Sequence, residues 1–88
     1  MAIKPRDSDN TELRVTEIFA VAVLRTKGVR LLGVEPTHSG RVAFLFDDHG
    51  GRAGALVQEH RDRGVDVNSA DFAAAVTWAK DIIFGSRG

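Results

Sequence analysis

Asp47, Asp48 and His49 stand in a row, and carboxylates beside an imidazole make a donor set that can hold a divalent metal ion. The spacing argues against such a site. A calcium loop of the EF-hand kind that starts at Asp48 needs an oxygen donor where Arg52 stands and its turn glycine where Ala53 stands. The two aspartates therefore read as the end of a strand and as caps for the helix that follows. The next stretch, His49-Gly50-Gly51-Arg52-Ala53-Gly54, has the glycine content of a phosphate loop. It matches neither the P-loop, with its Lys and Ser/Thr, nor the dinucleotide fingerprint, so it reads as a flexible connector.

His60 falls on the apolar stripe of a helix, where an imidazole could act as a general base or a pH switch. A single histidine in that position is more simply a packing residue with one ring nitrogen satisfied. His38 belongs to a turn. With three scattered histidines, no cysteine and no nucleophile elbow, the sequence lacks a catalytic constellation, and a non-enzymatic protein with no metal and no cofactor is expected.

Arg52, Arg61 and Arg63 could form a nucleic-acid contact, but Glu59 and Asp62 dilute them. Acidic and basic residues number 12 each in the 88-residue chain, so no overall field draws in a polyanion or an anionic membrane. A ribbon-helix-helix needs a polar strand face where Ala43 and Leu45 stand. A helix-turn-helix needs donors on the last helix, which offers Lys80 between Asp71 and Asp81. The three arginines read best as a solvated helix face.

The elements that must position these residues centre on Val29 to Asp47, which has the pattern of a β-hairpin. Two runs rich in Val, Leu and Phe flank the turn formers Pro36 to Arg41. A three-residue loop, with Gly40 in the left-handed position, pairs Thr37 with Arg41, Val34 with Phe44 and Leu32 with Phe46. Because side chains alternate, Leu32, Val34, Val42, Phe44 and Phe46 then share the inner face. Leu31, Gly33, Glu35, Ala43, Leu45 and Asp47 share the other. Leu13-Arg14-Val15 reads as a short extended segment, a third strand at the hairpin's edge.

Three helices supply the cover. Thr16 is the expected N-cap of a helix over Glu17 to Lys27, whose run IFAVAVL implies burial on more than one side and whose end is marked by Gly28. A second helix spans about Arg52 to Arg63, with a narrow face of Ala53, Leu56, Val57 and His60, and ends at Gly64. Asn68 and Asp71 form an approximate capping box for the third, in which Phe72, Ala75, Val76, Ala79, Ile82 and Ile83 repeat at helical spacing as far as Phe84 and Gly85.

This succession resembles a family of short bacterial and phage proteins known only as a domain of unknown function. The resemblance rests on the capped apolar helix ending in Lys-Gly, VRLLGVEPT, VAFLFDD, the Arg-Gly helix end and VDVNSADFAAAVTWAKDIIF. It covers Thr16 to Phe84, and the family more often has an aromatic residue where His60 stands. It implies a fold and a mobile-element setting, and no activity.

The expectation is a small α+β domain over residues 11–85, helix, hairpin, helix, helix, with a disordered leader over 1–10 and a flexible tail over 86–88. With no cysteine and no membrane-length apolar run, a cytoplasmic protein is expected. Leu31 and Leu45 on the second hairpin face, and Trp78 at the margin of the last helix, are left without obvious cover and suggest a partner-binding patch. The leading expectation is a protein-interaction module, as a homodimer or with another protein, and the alternative is a weak nucleic-acid-binding accessory protein.

Overall fold

The computed structural model describes residues 11–37 and 41–87, and the expected leader and the turn tip at His38, Ser39 and Gly40 lie outside them. The chain runs β1 (Glu12–Val15), α1 (Ile18–Thr26), β2 (Leu31–Pro36), β3 (Val42–Asp47), a single 3-10 turn at His49–Gly51, α2 (Arg52–Asp62) and α3 (Ser69–Arg87). This is the α+β architecture expected. The sheet has the order β1-β3-β2 with both pairings antiparallel, so the edge segment at Leu13 to Val15 is a strand that pairs with β3.

The hairpin keeps its expected frame near the turn: the Thr37 amide donates to the Arg41 carbonyl at 2.8 Å, and Val34 faces Phe44. Farther from the turn the frame shifts. Gly33 lies opposite Leu45 and Leu31 opposite Phe46, so Leu32 is an inserted, unpaired residue. The expected partnership of Leu32 with Phe46 is therefore replaced by Leu31 with Phe46, and Leu32 is left 45% exposed. Such a bulge bends the strand and increases its twist, and a glycine inside a strand is a common mark of one. Gly33 is that mark.

The inner sheet face is Leu13, Val15, Leu31, Val34, Val42, Phe44 and Phe46, with both phenylalanines at 0% exposure. On the other face Leu45 is half-buried and Ala43 fully buried. There Arg14 on β1 and Glu35 on β2 meet at 3.1 Å across β3. An exposed pair of this kind adds at most about 1 kcal/mol, so its larger role is to lay two long side chains over the strand between them.

All three helices lie against the inner face. Every residue from Ala20 to Leu24 in α1 is buried, because α1 touches the sheet while α2 and α3 both pack on it. The cap is one residue later than expected. Glu17, not Thr16, closes the amino end, its carboxylate accepting from the amides of Phe19 at 2.8 Å and Ala20 at 3.0 Å. At the other end the Val29 amide bonds the Leu24 carbonyl and the Gly28 amide bonds that of Arg25, the paired bonds of a Schellman motif. Gly28 sits at φ +81°, where a side chain would be strained, and Val29 packs in the same core as Leu24.

α3 starts as expected, with the Asp71 amide donating to the Asn68 side chain at 3.0 Å. It continues through Gly85 to Arg87, past the expected end at Phe84 to Gly85 and into the expected tail. One glycine costs an exposed helix only about 1 kcal/mol, which is too little to stop a helix that is already packed.

Urea unfolding checks this core. Phe46→Ala should cost about 3 to 5 kcal/mol, the range for emptying a buried aromatic site, and Leu45→Ala should cost less. Leu31→Ala should cost more than Leu32→Ala, and the reverse order would mean that the bulge is absent.

Candidate functional site

α2 runs antiparallel to α1 and reaches both of its ends. At the start of α2, the Arg52 guanidinium donates to the Lys27 carbonyl at 2.8 Å, on the C-cap residue of α1. Two turns later, His60 Nε2 lies 3.5 Å from Glu17 Oε1, on the carboxylate that caps the other end. The eight-residue separation spans about 12 Å, close to the length of nine-residue α1. His60 is thus half-buried packing with one ring nitrogen directed to a carboxylate.

The aspartates before α2 are engaged locally. Asp47 accepts from the His49 amide at 3.0 Å, and Asp48 accepts from the Gly54 amide at 2.9 Å, holding the first turn of α2. A Cβ at Gly54 would meet the Asp48 carboxylate at 3.4 Å, an ordinary contact, so the space there does not by itself demand a glycine inside the helix. Among the described residues no group of three acidic or histidine side chains is placed to hold a metal ion.

The arginines of α2 are dispersed. Arg52 is tied to α1, Arg63 sits 3.6 Å from Glu59, and Arg61 lines a cleft of about 210 Å³ beside Arg14 and Glu17. At 100° per residue Arg61 points about half a turn away from both of the others, so the three do not make one surface.

The apolar trio is divided in the same way. Leu31 joins the inner face through the bulge, and Leu45 stays on the outer one. Trp78 packs its ring against Phe44, with centroids 5.9 Å apart, and the Arg25 guanidinium lies 4.2 Å from its own centroid. An expected surface anchor is therefore an internal contact, roofed by a cation whose attraction is about 0.5 to 1 kcal/mol.

Besides Leu32 at the bulge, the large apolar groups left in solvent among the described residues are two phenylalanines elsewhere. Phe19 is 50% and Phe84 64% exposed, at the amino end of α1 and near the carboxyl end of α3. They border a shallow groove of about 480 Å³ whose other apolar walls are Ile18, Val42 and Ile83. Arg41 and Lys80 stand on its rim with Glu17. Phe19 also stacks on Phe72 of α3, outside the groove lining, their rings nearly parallel at 6.1 Å, which ties this wall of the groove to α3. The sequence carried a trace of this site: Phe84 lies beside the buried stripe of α3, and seven apolar residues in succession on α1 are too many for one short helix to hide.

Comparison of the chain with family models, with curated proteins and with solved structures gives no match. No helix among the described residues is long and apolar enough to cross a membrane.

Thermal or urea unfolding tests the cap. Glu17→Ala should lower stability by about 1 kcal/mol, within the range for losing an N-cap, and Thr16→Ala by less than about 0.5 kcal/mol. Equal losses would shift the cap back to Thr16.

Proposed function

We propose that this chain is a non-enzymatic protein-interaction module that engages another protein through the groove between Phe19 and Phe84. The carrying observation is the exposure of these two aromatic rings beside Ile18, Val42 and Ile83 in a fold that otherwise keeps its large aromatic side chains inward. Aromatic side chains contribute most when an interface drives water from around them, and Phe19 enters such a contact already ordered by Phe72. The groove is shallow, whereas ligand pockets for small molecules enclose most of their ligand, so the shape favours a macromolecular surface over a substrate. A cytoplasmic setting and a bacterial or phage origin belong to the same reading, on the cysteine-free composition and the family resemblance.

The nucleic-acid alternative has weaker support, since Arg52 and Arg63 are engaged at opposite ends of α2 and Arg61 faces away. It requires binding that falls steeply with salt. No binding of single- or double-stranded DNA or RNA at low salt is expected.

Light scattering and binding measurements on Phe84→Ser test the main reading. Phe84 is mostly exposed, so the variant should unfold within about 0.5 kcal/mol of the unmodified chain, while any protein complex, self or foreign, weakens about tenfold or more. A complex that survives Phe84→Ser unchanged would place the contact elsewhere. A dimer dissolved by Phe84→Ser would make a second copy the partner.

A further inference from the structure

We propose that the occupant of this groove is an acidic, amphipathic segment of another protein, with one or two large apolar side chains seated between Phe19 and Phe84 and carboxylates facing Arg41 and Lys80. The inference rests on the interaction reading above and adds the chemistry of the partner. It follows from which charges at the rim are already used. Glu17, the one carboxylate among the described residues that line it, accepts two amide hydrogen bonds from α1 and faces His60 as well. Arg41 and Lys80 make no ion pair among the described residues. The rim therefore presents two uncommitted cations over an apolar floor, on a chain whose net charge is zero. Such a cationic rim is not a property of the chain as a whole.

A groove-to-groove pairing of two copies fits less well. Two-fold symmetry sets the same patch against itself, which crowds the Arg41 and Lys80 rims of both copies around one contact. Like charges brought together at an interface oppose association, whereas a carboxylate-bearing partner is drawn in and oriented by them. The apolar floor then supplies the holding contact, because surface ion pairs alone contribute little. Phe84, the more exposed ring, is the side chain whose removal the occupant feels most.

The test is selection of peptides from a random linear library on the full 88-residue chain at low salt, followed by fluorescence anisotropy with the enriched sequences. Enriched peptides should combine Asp or Glu with Phe, Trp, Leu or Ile. Their affinity should drop about tenfold or more with Phe84→Ser, and by a similar factor with Arg41→Glu/Lys80→Glu or when salt is raised. Both rim positions are exposed, so the charge-reversed variant should stay folded, as circular dichroism would check. Enrichment without acidic residues, or binding indifferent to the charge reversal yet lost with Phe84→Ser, would overturn the acidic partner and leave the groove as a contact surface. Binding indifferent to Phe84→Ser, or no enrichment at all, would overturn both.

Discussion

The middle of a nine-residue helix, Ala20 to Leu24, is buried all round, and the fold around it supplies partners for the end groups that so short a helix leaves open. α1 is too short to be stable alone, and its buried run from Ala20 to Leu24 contributes only if both ends are closed. Glu17 closes one end through its carboxylate, and Gly28 with Val29 closes the other through a turn that no residue with a side chain enters cheaply. α2 then reinforces both closures from outside, Arg52 on the Lys27 carbonyl and His60 on Glu17. The spacing of these two residues matches the antiparallel placement of α2 on α1. Charged side chains that look available for ligands in the sequence are thereby committed to structure.

The same arrangement creates the groove. Capping by Glu17 fixes the first turn of α1, and that turn is where Phe19 leaves the core. Ala20 and its successors go inward, so Phe19 is turned outward against Phe72. α3, the longest element, carries Ile83 and Phe84 in its last turns alongside that first turn of α1. The exposed aromatic pair is a consequence of one short helix and one long one packed together. Its apolar character has no structural benefit of its own, since solvent-facing Phe residues add little to stability.

Much of the fold was legible in the sequence. Turn residues, alternation and helical spacing were enough for the strands, the three helices and the Asn68 cap, because those signals are local. The bulge at Leu32 was harder to see: Leu31 and Leu32 are alike in chemistry, and only Gly33 hinted that the strand departs from strict alternation. Thr16 against Glu17 could not be decided by type, since either side chain can accept from the first amides. The site was the least legible part. Trp78 looked uncovered because its cover, Phe44 and Arg25, comes from elements distant in the chain, and Leu31 because the bulge turns it to the face of Phe46. Phe19 looked buried because it stands inside an apolar run. Which member of such a run is turned outward depends on how the neighbouring helices are arranged, and that is tertiary information.

Native-state amide hydrogen exchange measures directly whether α1 is the buried axis of a single cooperative unit. The amides of Val21 to Leu24 should exchange only through global unfolding, with the same free energy as those of Phe44 and Phe46, and Glu17→Ala should lower all of them together. If the α1 amides exchange at a distinctly lower free energy than the β3 amides, then the helix opens on its own, the double closure by α2 does not hold it, and the groove has no fixed wall on that side.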